Sequence, residues 1–414
     1  MTQENDLTEY TGAVDATCTW EGISSQKTDT GTLYALRLTS QTWQGRPWTH
    51  RLHVYLPYAP VARDWGLLTI TSDHVGQAAA ADGDLEAACR AGIVGACLYD
   101  VPNQPLFDGL REDELLAHTL TQRLDTDDRT WPLLFPMVKA AIRAMDAIAE
   151  KCKAEGSTAP ARFVLHGASK RGWTAWLTAV ADSRVGAIMP EVYDNLNLFA
   201  QMPHQVAVWE AYSEMIEDYT EQNLQDKMRT PSGHALALSV DPFTYRAHLT
   251  LPKLLIHGLN DRYWATDALN LYWDDLPGDK HVVYAPNQGH YIADRQRIAP
   301  TQQAFLRAVT SGTSLPDVAA DYEETPTELC VTLRSTVQAL EARVWSAASA
   351  TQDFRESKWT WKPLERQSGR DTFTGAVPRP ASGYVAVMGD CLLPDSRGPY
   401  TLSTQVRILG VTSA

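Results

Sequence analysis

Three residues on three separate loops, Ser169, Asp261 and His290, are of the types that together perform acyl transfer. A serine hydroxyl is a poor nucleophile at neutral pH. It needs an imidazole to take its proton and a carboxylate to hold that imidazole in one tautomer. Ser169 lies in Gly167-Ala168-Ser169-Lys170-Arg171-Gly172, after a short apolar run, Arg162 to His166, and before a helix-compatible run to Ala181. Strand, sharp turn and helix are the setting that lifts a serine Oγ above a sheet. Lys253 to His257 and His281 to Ala285 read as further strands, each ending in a polar loop, and those loops carry Asp261 and His290. Taken singly, each residue has an ordinary reading: a helix N-cap for Ser169, a turn residue for Asp261, a polar loop residue for His290. Their shared placement at the carboxyl ends of strands, in the order Ser, Asp, His, favours a catalytic triad.

The oxyanion of such a reaction needs backbone donors. Lys170, first in the helix after the turn, offers one N–H. The second is expected from the loop after the Trp65 to Thr71 run, around Ser72 to His74, with Ser72 and Asp73 as candidates. Arg171 stands where Gly-x-Ser-x-Gly has its second glycine, which here comes one residue later, so the following helix is expected to pack slightly differently. Asn103 and Gln104, in the loop Asp100 to Pro105, are candidates for the pocket wall together with Arg171, Tyr193 and Trp264. Asn103 and Gln104 suit a turn-stabilising role equally well. Lys170 and Arg171 could attract an anionic group, although ion pairing is the commoner use of such cations. Glu112 and Asp113 read as acids complementing a helix N-terminus rather than as general acids.

The elements that must position these residues follow a strand and helix rhythm. Leu33 to Leu38 and His50 to Leu56 look like antiparallel lead-in strands, and Trp65 to Thr71 and Ile93 to Leu98 like strands of a parallel sheet with a helix, Gly83 to Gly92, between them. Pro132 to Glu155 spaces Val138, Ile142, Met145 and Ile148 three or four apart, as a sheet-covering helix does. Residues 197–230 are polar, aromatic and helical in tendency, and read as a lid inserted into the catalytic part, which spans 1–312. Its Trp209, Tyr212 and Tyr219 with Glu210, Glu214, Glu217 and Asp218 suggest an aromatic, acidic rim. Linker composition follows at 313–326, and alternating residues over 327–414 predict five to seven short strands, a small β-sandwich.

Bulk properties exclude other classes. A formal charge of −14, with no clustered Lys or Arg, argues against nucleic-acid binding. Six cysteines without Cys-x-x-Cys spacing argue against zinc and predict core thiols; Cys330 and Cys391 would pair only in an oxidising compartment. Neither a Gly-x-Gly-x-x-Gly nor a Gly-x4-Gly-Lys-Ser/Thr turn follows an early strand, so no nucleotide or redox cofactor is expected, and no metal. No run of 18 apolar residues predicts a membrane span, and the opening MTQENDLTEY lacks the features of a secretory signal, so a cytoplasmic protein is expected.

Longer phrases resemble one known family. SQTWQGRPWTH, VPNQPL followed by REDELLAHT, FPMVKAAIRAMD, GASKRGWTAWL, PEVYDNLN, DPFTYRAHLTLPKLLIHGLNDRYW and DDLPGDKHVVYAPNQGH are similar to the PhoPQ-activated pathogenicity-related (PqaA-like) proteins of the α/β-hydrolase superfamily, over most of residues 7 to 310. The resemblance implies an α/β-hydrolase core with a mostly parallel sheet and a helical lid, then a C-terminal immunoglobulin-like domain, with the triad on Ser169, Asp261 and His290. Relatives are commonly exported. The GASKRG turn also looks like the elbow of glucuronoyl esterases. The expected activity is cleavage of an ester or amide in a small-molecule or peptide substrate through an acyl-enzyme. A peptidase is one alternative; the other is a non-catalytic binding or signalling protein on the same fold, against which the intact Ser, His and Asp set counts.

Overall fold

The computed structural model describes residues 4–72, 84–367 and 371–411. The chain divides into two compact units, Met1–Tyr193 with Ile216–Pro252, and Asp194–Met215 with Lys253–Ala414.

In the first unit β1 (Thr19–Lys27), β2 (Gly31–Trp43) and β3 (Arg46–Pro57) form an antiparallel meander. It continues into β4 (Trp65–Ile70), β5 (Val94–Leu98), β6 (Arg162–Ala168) and β7 (Val185–Glu191), in the spatial order β1-β2-β3-β5-β4-β6-β7. The pairs β5–β4, β4–β6 and β6–β7 are parallel. Every residue of β4 and β5 is buried, which is why these strands read as unbroken apolar runs rather than alternating ones. The helix Leu134–Ala154 packs against β2 and against the helix Lys170–Ala181, which in turn covers β6 and β7. Residues 84–91 form the helix expected between β4 and β5.

In the second unit β8 (Lys253–Gly258) and β9 (Lys280–Ala285) are parallel. The remaining strands are β10 (Val318–Glu324), β11 (Glu328–Ser335), β12 (Glu341–Ser349), β13 (Thr360–Pro363), β14 (Glu365–Arg366), β15 (Thr372–Pro378), β16 (Tyr384–Leu393), β17 (Tyr400–Ser403) and β18 (Arg407–Gly410). They make a β-sandwich: the sheet β10-β11-β15-β14 faces β16 and β12, with Leu333 lying over Gly389.

Two expectations about organisation need correction. Residues 318–324, inside the expected linker 313–326, are strand β10, because their alternation pairs register for register with β11. The C-terminal strands also do not form a free-standing domain. Strand β17 pairs with β9 at Ser403 and Val282, so one sheet of the sandwich continues the sheet of β8 and β9. The link is reinforced by Thr301 Oγ1 donating to Thr401 O at 2.9 Å, which is buried, and by the partly buried Arg297–Asp390 ion pair at 2.7 Å. The expected lid is not one body either: residues up to Met215, including the helix Leu198–Trp209, belong to the second unit, and those from Ile216 to the first. All six cysteines are thiols, with Cys97, Cys152 and Cys391 buried. Among the described residues no helix is long and apolar enough to cross a membrane.

Candidate active site

Ser169 occupies the turn between β6 and the helix Lys170–Ala181 with φ 56° and ψ −126°, and its side chain makes no capping hydrogen bond to the helix. An N-cap serine has extended backbone and accepts from the first turn, so the cap reading fails. A non-glycine residue in this region stores about 1–3 kcal/mol of strain. The turn closes because its neighbours are small: a Cβ on Gly167 would meet Arg171 O at 2.5 Å, and one on Gly172 would meet Gly167 O at 3.0 Å. The glycine displaced by one position therefore still provides the close approach of helix to strand. Ser169 N donates to Glu191 O at 2.8 Å, tying the turn to the end of β7. Lys170 opens the helix, so its N–H has no intrahelical acceptor. The register ends at Ile70↔Gly167, and Ser72, two residues beyond β4 at the same end of the sheet as Ser169, is buried. Asp73 and His74 lie outside the described residues.

The second unit brings Asp261 and His290 together. His290 Nδ1 lies 2.8 Å from Asp261 Oδ2, and Tyr263 N donates to Asp261 Oδ1 at 2.8 Å, so both carboxylate oxygens are engaged. The Tyr263 ring packs on the imidazole with centroids 4.1 Å apart, and Trp264 lies against Tyr263 at 5.6 Å. The two loops can approach because residue 258 is glycine: a Cβ there would meet Gly289 O at 2.3 Å. Backbone bonds Leu259 N to Ala285 O, 3.1 Å, and Asn260 N to Gln288 O, 2.9 Å, complete the junction.

Several pocket candidates are occupied by structural work. The Arg171 guanidinium is buried, bonded through Nη1 and Nη2 to Glu112 at 2.8 and 2.7 Å and through Nε to Val101 O at 2.6 Å. A bidentate, desolvated fork of this kind is charge-compensated by its own carboxylate, which makes Arg171 a member of a structural ion pair first. Lys170 Nζ lies 2.9 Å from Asp113 and 3.3 Å from Glu112, so the two acids read as helix-terminal residues are the partners of the elbow cations. Burial works to raise the Glu112 carboxyl, but Arg171 and Lys170 outweigh it and hold the group well below the usual range. Gln104 clamps Glu112, donating to its carboxylate at 2.8 Å and accepting from its N–H at 2.9 Å. Asn103 clasps Thr49 of β3, donating to its carbonyl at 2.7 Å. Tyr193 is buried and stacked on Trp173, centroids 5.0 Å apart.

The structure also shows groups the sequence reading missed. His166, on β6 three residues before Ser169, is buried between Asp84, 2.6 Å from Nδ1, and Glu191, 3.3 Å from Nε2. Burial alone would lower its pKa, but the two carboxylates outweigh that and push it up to about 10. The signal was a histidine inside the otherwise apolar run Phe163-Val164-Leu165. Among the described residues, Asp279, His281 and Asp317 alone have metal-ligating spacing, their ligand atoms within 4.8 Å of one another. Asp279 and His281 lie at the start of β9, the end opposite the His290 loop, and Asp317 just before β10; His281 Nε2 already faces Asp279 at 2.8 Å.

A serine elbow after a parallel strand, with a carboxylate loop and an imidazole loop after two more, are the parts of an α/β-hydrolase. Solved structures share that fold: acetyl xylan esterase 1 from Thermoanaerobacterium sp. JW/SL YS485 (TM-score 0.51, 14% identity, covering 73% of this chain and 92% of that one), and the acetyl xylan esterase from Paenibacillus sp. R4 (TM-score 0.51, 12% identity, 74% and 92%). The sequence pattern of the PhoPQ-activated pathogenicity-related proteins matches residues 7–355, and the chain belongs to that family. Autocrine proliferation repressor protein A of Dictyostelium discoideum is 32% identical over 381 residues, 84% of this chain and 76% of its own length.

Proposed function

We propose that this protein is a serine hydrolase that cleaves a carboxylic ester or amide through an acyl-enzyme, with Ser169 as nucleophile, His290 as general base and Asp261 as the carboxylate that orients it. The observation that carries the reading is the backbone of Ser169, which holds a strained conformation that no capping role requires and that a nucleophile elbow does. With Nδ1 directed at Asp261, Nε2 is the nitrogen of His290 that takes the serine proton and returns it to the leaving group. The Lys170 N–H, joined by that of Ser72 or Asp73, would hold the oxyanion. The Arg171 charge is paired with Glu112 and is not assigned to a substrate anion, and Trp264, beside Tyr263, is the candidate for one wall of the pocket. Acetyl esters of carbohydrates, named for two proteins of the same fold, are the first substrates to screen, beside aminoacyl amides.

Labelling of the intact protein with a fluorophosphonate, located by mass spectrometry, tests the reading. A stoichiometric adduct on Ser169, absent in Ser169→Ala, is expected; a folded protein that takes no label would refute it. A second reading, a signalling protein on a hydrolase fold, is favoured by the name of the Dictyostelium relative. It requires that Ser169→Ala retain full potency in a growth-repression assay.

A further inference from the structure

The loops of Asp261 and His290 are held from outside the hydrolase strands. Asn260, the residue before Asp261, directs its side-chain amide at three carbonyls of the C-terminal sandwich: Ser357 at 2.7 Å, and Phe354 and Arg355 at 3.2 Å each. Three acceptors around one nitrogen fix which end of the amide faces them. Asn287, three residues before His290, makes a two-point clasp with Trp359: its Nδ2 donates to Trp359 O at 3.0 Å, and Trp359 N donates to its Oδ1 at 2.8 Å. Asn287 has φ 60°, a conformation asparagine tolerates better than most residues. The segment 353–359 is itself anchored, with Phe354 and Trp359 fully buried and a turn closed by Ser357 N to Phe354 O at 3.0 Å.

Charged contacts surround the same segment. Arg262 pairs with Glu214 at 2.6 Å and with Glu356, and Arg355 reaches Glu214 at 2.7 Å. The Arg262 side chain is 46% exposed, and exposed pairs contribute little. The asparagine bonds, all partly buried, tie the two loops directly to the segment: Asn260 is half-buried, and Asn287, though exposed, is held at two points.

We propose that residues 353–359 of the C-terminal sandwich are the positioning element of the Asp261–His290 pair, acting through Asn260 and Asn287. The inference rests on the hydrolase reading for its catalytic consequence. It assigns the loop between β12 and β13 a role in the site, through asparagines that stand beside Asp261 and His290 in the chain rather than in the pair itself. Misplacing a catalytic group by about 1 Å costs on the order of 100-fold in rate.

The test uses the full chain with Asn260→Ala and Asn287→Gly, the glycine keeping the positive φ while deleting the clasp. Three readouts are compared: the fluorophosphonate labelling rate at Ser169, kcat and KM on p-nitrophenyl acetate, and the low-field proton signal of the His290 Nδ1–H to Asp261 hydrogen bond. Each variant is expected to lose roughly 10- to 100-fold in labelling rate and kcat with KM within about twofold, and the low-field signal should weaken or vanish while the protein stays folded. If the wild type takes no label but the variants still lose the signal, the positioning role stands and the hydrolase reading falls. Variants that unfold more easily yet keep the labelling rate and the proton signal when folded would overturn the proposal, leaving the segment as packing alone.

Discussion

Removing the Glu112 carboxylate should destabilise the first unit more than any exposed ion pair can. Glu112→Gln preserves size but leaves the Arg171 guanidinium, its side chain 2% exposed, with one acceptor in place of a charged bidentate partner. Breaking a buried pair from one side typically costs about 3–5 kcal/mol, because the remaining charge is desolvated and uncompensated. Glu112 is itself about a quarter exposed, and Lys170 retains Asp113 as a partner, which places the expected loss near the lower end, about 3 kcal/mol. Glu21→Gln is the control, since the Arg37–Glu21 pair is 60% and 61% exposed and is worth under about 1 kcal/mol. Urea unfolding followed by tryptophan fluorescence measures both. The pH dependence has a definite sign: a carboxyl whose folded pKa is depressed contributes above its unfolded value and loses that contribution as pH falls toward the folded one. The gap between wild type and Glu112→Gln should be full above about pH 5 and shrink below about pH 4. A Glu112→Gln protein as stable as Glu21→Gln would refute the argument that Arg171 depends on this partner.

Asp261→Asn should lower kcat by about 10⁴-fold with fold and KM retained, since the amide favours the wrong imidazole tautomer; steady-state kinetics on the best ester check it. Ser169→Gly and Ser169→Ala should both be inactive, but the glycine variant should be more stable by about 1 kcal/mol in urea unfolding, because glycine relieves the backbone strain at φ 56°. His166 is the opposite case to Glu112: its folded pKa is raised to about 10, so its contribution to stability is complete below about pH 6.5 and is lost as pH rises through about 10. Unfolding free energy should decline over that interval in the wild type, and His166→Gln should remove the slope.

Much of the first unit was legible because it depends on local pattern. Buried parallel strands such as β4 and β5 announce themselves as short apolar runs, the helix Leu134–Ala154 as a stripe at three- and four-residue spacing, and the elbow as a serine among small residues between strand and helix. The pairing of Asp261 with His290 followed from their places after two parallel strands. The linker reading of 313–326 failed because Ala, Asp and Glu dominate 318–324 and depress its strand signal, and what makes it a strand is its partner β11.

Side-chain roles divided along the same line. Arg171, Asn103, Gln104 and Tyr193 were pocket candidates, with turn-stabilising roles open beside that for Asn103 and Gln104 and ion pairing for Arg171, because position after a strand does not show what a side chain faces. Glu112 lies 59 residues from Arg171, and Thr49 lies 54 residues from Asn103, so no local window contains either pair. The same holds for His166 with Asp84, and for Asn260 and Asn287 with the segment 353–359. The sequence by itself determined the residue types, their order and the local turn that strains Ser169. Only the tertiary structure decided which buried charge meets which, since desolvation and hydrogen-bond geometry depend on neighbours brought together from distant parts of the chain.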